Sequence, residues 1–323
     1  MRQGIRFVRA ARRAAPLWLA LAALLGPACA SAANQNGGFY VDPDSNPAIW
    51  VREHAGDTRA AKIRASIAAK PMARWFGNWS GSIGGAVSRY VEAARSADKL
   101  PVLVAYNIPG RDCGSHSGGG AGSPEAYRTW ISSFASGIGN ARAVVVIEPD
   151  ALAQLDCLSA EQRAVRVSLL QYAAREFKQR APNAQVYHDG GNASWIGAQE
   201  MARRLQSAGV AEIRGFALNV SNYHTSADSN RYGADVSASL KSQFGYAKPF
   251  VVDTSRNGNG SNGEWCNPAG RKLGVASQNS ASGAEMLLWV KVPGDSDGAC
   301  GIAPNTPAGT FSPDIAVRLI EGR

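Results

Sequence analysis

Three acidic stretches hold the side chains best suited to chemistry: AVVVIEPDAL (143–152), YNIPGRDCGSHSGGG (106–120) and WVKVPGDSDGACG (289–301). In the first, Ala143 to Ile147 read as a buried strand, which has no packing reason to finish in Glu148-Pro149-Asp150. Pro149 cannot donate to a sheet ladder, so it marks the strand's end and delivers Asp150 to the loop beyond. Partial burial and neighbouring carboxylates there would raise its pKa and make it a proton donor. The second stretch supplies Asp112 beside Cys113, while Cys157 lies seven residues past Asp150. Joining those cysteines would hold two acidic loops at a fixed separation, as paired acid/base carboxylates require. In the third, Lys291 ends a strand, and Asp295 and Asp297 sit in a turn before Cys300. A calcium loop is the competing reading of that turn, but the further oxygen ligands and closing Glu of an EF-hand are absent.

Short apolar segments supply the scaffold. Strands are predicted over 101–107, 143–150, 184–191, 213–222, 248–255 and 285–291, with an earlier one near 72–77. Helical stretches separate them. Over 159–180, Ser159 and Gln162 form a capping box, and Val167, Leu170, Ala174 and Phe177 share a face. Strand alternating with helix implies a parallel sheet, and six or seven such units favour a barrel. Asp112, Asp150, Asp189, Asn219, Asp253 and Lys291 all fall at or just beyond the carboxyl ends of these strands. In a parallel barrel those ends converge on one face, where active sites form. The Gly/Ser-rich stretches 114–123 and 257–265 read as loops over that face.

The first 32 residues, with five Arg, no acid, an apolar run near 14–25 and a closing Ala30-Ser31-Ala32, read as a secretory signal. The run is too short for a membrane span. Removing the signal takes the formal charge from +9 to about +4, and no Lys/Arg run remains to suggest nucleic acid. Cys113, Cys157, Cys266 and Cys300 remain, an even count that a secreted chain should pair, with three connectivities open. None has zinc-ligand spacing, so neither metal nor cofactor is expected.

The motifs YNIPGRDC, VVIEPDALA, VYHDGGNASW, ALNVSNY, GEWCNPAGRKLG and WVKVPGDSDG occur in an order and spacing that resemble glycoside hydrolase family 6, the inverting cellulases of β-1,4-glucan. The resemblance runs from about Gly38 to the C-terminus. It implies an α/β fold, a distorted, TIM-like parallel β/α barrel of about seven strands, and one catalytic domain over 33–323. Asp150 then matches the general acid, and Asp112 the aspartate that raises its pKa and relays a proton from the attacking water. Asp297 matches the long-proposed base, Tyr106 the tyrosine crowding the distorted sugar, and Ser117 the serine that positions the water. Asp189, Lys291 and Asp295 match sugar-contacting positions, as do Trp75, Trp195 and Trp265, with Asn219 and Asn222 in the ALNVSNY motif joining the binding set. Trp289, inside an apolar strand, is expected in the core. Asn192 stands where many members carry His, which puts subsite affinity in question more than the chemistry. The pairs Cys113–Cys157 and Cys266–Cys300 are expected, each bracing loops that leave the active-site face.

The expected partner is a β-1,4-glucan or cello-oligosaccharide, bound by a secreted monomer with no nucleic acid or membrane partner. Short loops at 114–123 and between Cys266 and Cys300 favour endo action through an open cleft. A cellobiohydrolase, or a non-catalytic glucan-binding protein on the same fold, is the alternative.

Overall fold

The computed structural model describes residues 38–280 and 283–323, together with Met1 and Gly4. Apart from those two positions, the expected signal over 1–32 lies outside the described residues. Seven strands run parallel in chain order: β1 (Arg74–Phe76), β2 (Val102–Ala105), β3 (Ala143–Ile147), β4 (Ala184–Asp189), β5 (Gly215–Leu218), β6 (Phe250–Asp253) and β8 (Met286–Leu288). A two-residue β7 (Gln278–Asn279), not foreseen from the sequence, pairs antiparallel with β8. The predicted strands are therefore present but shorter, because each apolar run ends where its chain turns into the loop face.

Alternation within these strands explains the curl. Val102, Val104, Val144, Val146, Tyr187, Ala217, Val251, Met286 and Leu288 point to an inner core. Their neighbours Leu103, Ala105, Val145, Ile147, Phe216 and Val252 point outward under helices. Both faces are apolar, so the sheet must be covered on both sides, and a parallel sheet does this by curving around its own interior. The outer cover is α3 (Ile83–Ser96), α4 (Pro124–Ile138), α5 (Ala160–Arg180), α6 (Ala198–Ser207) and α7 (Ser226–Phe244). Helix α5 begins at the expected capping box: Gln162 N–H donates to Ser159 Oγ at 3.2 Å, and Ser159 N–H to Gln162 Oε1 at 2.9 Å. Val167 on its expected face is only partly buried, while Arg166, Leu169 and Ala173 are buried with Leu170, Ala174 and Phe177.

No ladder closes β1 onto β8. At that seam the Ala73 N–H donates to Trp289 O at 2.8 Å, and Trp75 Nε1 donates to Val290 O at 2.7 Å. The gap is plugged by Ile63, Ile67, Met72, Trp289 and Ala316, drawn partly from the segments α2 (Ala60–Ile63) and α8 (Pro313–Glu321). Trp289 is thus core, as expected. The described residues from Gly38 to Arg323 form one compact unit. Among the described residues, no helix is long and apolar enough to cross a membrane.

Both expected disulfides are present. Cys113–Cys157 joins the loops after β2 and β3, and Cys266–Cys300 joins those after β6 and β8. Replacing Cys266 and Cys300 together by Ala lowers stability by about 4 kcal/mol if chain entropy governs a crosslink of this span. Calorimetry should show this as a fall in Tm; an unchanged Tm would mean that hydrogen bonds alone hold the loop.

Candidate active site

The E-P-D turn sends its two carboxylates in opposite directions. Glu148 and Asp150 both adopt left-handed backbone angles, with φ of 49° and 69°, a conformation that side-chain-bearing residues hold only when their surroundings enforce it. Glu148 is fully buried and turns back toward β2. Its carboxylate accepts the Asn107 N–H at 2.9 and 3.0 Å and the Ile108 N–H at 2.9 Å. Burial raises its pKa to about 7 despite those bonds. Asp150 projects into a cleft of about 1130 Å³. Its N–H donates to Asp189 Oδ1 at 3.0 Å. Burial, then the charges of Asp189, Asp112 and Asp297, push its pKa well above the usual carboxylate range. It therefore stays protonated where an ordinary aspartate would be ionised.

Asp112 faces the same cleft from the loop after β2, also left-handed at φ 56°. Ser117 N–H donates to its Oδ2 at 2.7 Å and Gln154 Nε2 to its Oδ1 at 3.1 Å. Ser117 thus touches Asp112 through its backbone. The loop returns over β2 at Gly120, where a Cβ would lie 2.0 Å from Ile108 O, so only glycine fits. Its His116 ring lies 5.9 Å from that of Trp265, so the loop leans toward the opposite wall. Although His116 also lies close to Cys266 and Cys300, those sulfurs are bonded to each other and offer no thiolate to a metal.

On that far wall Asp297 accepts Arg256 Nη1 at 2.8 Å, Tyr223 Oη at 3.0 Å and Asn267 N–H at 3.1 Å, and forms an ion pair with Lys291 Nζ at 3.1 Å. Burial alone would raise its pKa, but the Arg256 and Lys291 charges and these bonds hold it far below the usual range. Asp297 thus lines the cleft as an ion-paired carboxylate.

Trp75, Tyr106, Ser117, Asn192, Trp195, Asn222, Trp265 and Lys291 also line the cleft. Three expected sugar contacts do not. Asp189 is 2% exposed and accepts the N–H groups of Asp150 and Gly191. Asn219 is fully buried, bonding His224 N–H, His224 O and Asp253 O. Asp295 is 7% exposed and accepts Asn46 Nδ2 at 2.8 Å, with burial raising its pKa to about 7. These side chains turn inward to satisfy amides and polar groups that irregular backbone leaves unpaired.

Sequence reasoning also missed cleft residues. Gln154 lies one helical turn past Asp150, a spacing that could have flagged it. His224 pairs with Ser194 Oγ at 3.0 Å, and Ser194 Oγ lies 3.2 Å from Asn192 Oδ1. An imidazole thus reaches the corner where Asn192 replaces the expected His; burial lowers its pKa. Trp79, four residues past Trp75, lines the cleft as well.

A β/α barrel whose strand ends set a protonated carboxyl against an ionised one, between exposed indoles, is built to cleave a carbohydrate chain. The chain belongs to glycosyl hydrolases family 6, whose profile matches residues 34–323. It is 51% identical over 323 residues to Endoglucanase 1 of Streptomyces halstedii, covering all of both chains. To Endoglucanase A of Cellulomonas fimi it is 45% identical over 287 residues, covering 87% of this chain and 60% of that one. The solved endoglucanase Cel6 of Mycobacterium tuberculosis, in complex with methyl-cellobiosyl-4-deoxy-4-thio-β-D-cellobioside, superposes with a TM-score of 0.83 at 39% identity. The match covers 88% of this chain and 97% of that one.

The buried Glu148 generates a pH prediction. It holds its proton to about pH 7 when folded, whereas the ordinary value is 4.5. The folded state therefore binds more protons between those values, and stability falls as pH rises from 4.5 to 7, levelling above. Glu148→Gln removes one carboxyl from this effect. Its Tm from pH 4.5 to 8 should fall less steeply than that of the wild type; curves of equal slope would refute the assignment.

Proposed function

We propose that this family 6 hydrolase is a secreted, monomeric endo-β-1,4-glucanase that cleaves cellulose or related β-glucans with inversion, using residues 33–323 as one catalytic domain. The carrying observation is Asp150, which projects into a cleft lined by tryptophans where burial and the charges of Asp189, Asp112 and Asp297 raise its pKa. The cleft volume of about 1130 Å³ exceeds the ~300–1,000 Å³ of small-ligand pockets and suits an oligomer. Two disulfides fit an oxidising compartment.

In this reading Asp150 protonates the glycosidic oxygen while water attacks the opposite face of the sugar. The attacking water must lose a proton. Asp297 is a poor acceptor, because a base of strongly depressed pKa gives little driving force. Asp112 is the better one, reached through a second water, with Ser117 and Gln154 fixing its oxygens. Asp297 instead holds Lys291 in place beside the sugar path, with the buried Arg256 behind it. Tyr106 stays a phenol, since burial and then the Asp150 and Asp112 charges raise its pKa, and it presses on the sugar being cleaved. Trp75, Trp195 and Trp265 supply flat apolar surfaces for glucosyl rings.

Endo action draws support from the endoglucanase relatives and from the slight roof over the cleft. The loop at 114–120 meets Trp265 through one exposed imidazole, with no covalent tie between them. An internal stretch of polymer can enter by displacing that contact.

Asp150→Asn should lower kcat on carboxymethylcellulose at least a thousandfold while cello-oligosaccharide binding persists. NMR of wild-type product should show the α-anomer first, and viscosity should drop steeply at low reducing-sugar release. Near-wild-type turnover by the variant, a β-anomer, or unchanged viscosity would each remove the corresponding part of the proposal. Asp112→Asn removes an anion that helps keep Asp150 protonated. The alkaline limb of kcat/KM should therefore move to lower pH, together with a lower kcat, and an unmoved limb would detach Asp112 from the acid.

A further inference from the structure

Three described tryptophans are exposed, and all three line the cleft: Trp195 at 40%, Trp265 at 49% and Trp79 at 56%. The motif-based reading accounts for the first two. Trp79 is the most open, and no core packing explains it. Leaving an indole in water forgoes burial that its large apolar surface would otherwise gain, so its exposure calls for a reason.

The surroundings of Trp79 fix the ring without covering it. The Arg111 guanidinium lies 5.2 Å from the Trp79 ring centroid and 4.8 Å from that of Tyr106, making a column of indole, guanidinium and phenol. Arg111 is itself 7% exposed. Its Nε donates to Ser117 O at 2.8 Å and its Nη1 to Asn78 Oδ1 at 3.3 Å. A cation held this way cannot follow a moving ring, so it acts as a clamp. Behind the indole, Gly77 leaves the necessary space: a Cβ there would lie 2.3 Å from the ring.

We infer that Trp79 is a further glucosyl-binding platform on the β1 side of the cleft, clamped by Arg111 to Tyr106. A β-linked glucosyl unit presents C–H groups on both ring faces, which pack on an aromatic surface by dispersion and weak C–H contacts. The ligand is one more sugar of the same polymer, so the inference rests on the proposed β-1,4-glucan activity and extends the length of chain the cleft engages.

The test compares wild type, Trp79→Ala and Trp79→Phe on cellotetraose, cellopentaose and cellohexaose. Trp79→Ala should lower kcat/KM about tenfold on cellohexaose and less than threefold on cellotetraose, mainly through KM, and Trp79→Phe should recover most of the loss. Equal losses at all lengths, or none at any, overturn the platform. Should the wild type hydrolyse none of the three, the proposed activity fails instead. Calorimetric affinity for cellohexaose then still decides the inference: about tenfold weaker binding by Trp79→Ala upholds it, and equal affinity overturns it.

Discussion

Two backbone amides at the end of β2 and one carboxylate at the end of β3 set the geometry of this site. Asn107 and Ile108 leave the sheet ladder with N–H groups that must be paired, and Glu148 reaches across to accept them. To do so its backbone enters the left-handed region, and Pro149 then carries the chain out of the sheet. Asp150 projects into the cleft because Glu148 turned away from it. The same bonds fix the start of the loop that bears Asp112, and Arg166 on α5 steadies it further by donating to Pro109 O at 3.1 Å and to Gly110 O at 2.6 Å. The proposed proton donor and the proposed acceptor are thus referred to a single buried carboxylate.

The electrostatics divide the cleft in two. On the β3–β4 side, Glu148, Asp150 and Asp189 crowd into a buried region, and each has its pKa raised, first by desolvation. On the β6–β8 side, Asp297 is equally buried, yet Arg256 and Lys291 keep it ionised. Carboxyls of similar intrinsic acidity are pushed apart by their neighbours, and in the proposed mechanism that separation distinguishes acid from anion. A second acidic residue near the site is therefore no evidence of a base. What counts is how strongly neighbouring cations hold it ionised.

This distinction governs what the sequence could convey. The strands, their parallel order and the polar residues at their carboxyl ends were legible, because period-two apolar runs and Pro149 report directly on burial and on where a strand stops. Side-chain direction was not legible. Asp150 follows β3 and Asp189 ends β4, yet one faces the cleft and the other holds backbone amides, a choice made by which N–H groups nearby lack a partner. Asn219 and Asp295, expected at the sugar, are buried away from the cleft lining for the same reason. Trp79 escaped notice because its meaning depends on Arg111, 32 positions away in the chain. His224 reaches the corner occupied by Asn192 only when the loops after β4 and β5 meet.

Left-handed backbone at non-glycine residues gathers around the cleft: Asp112, Cys113, Glu148, Asp150, Asn219, Ser221 and Asn267 all have positive φ. Each such residue carries a conformational cost on the order of 1 kcal/mol or more. The fold offsets this locally. Cys113 and Asp112 sit at a disulfide, Asn267 adjoins the other, Glu148 and Asn219 are held by buried hydrogen bonds, and Ser221 N–H donates to Asp253 at 3.0 Å. Relaxing these angles would gain stability but would swing Asp112 and Asp150 out of register with each other. Strain and crosslinks are therefore parts of one device: the crosslinks and buried carboxylates let the loops keep the conformations in which the proposed proton donor and acceptor can face the same bond.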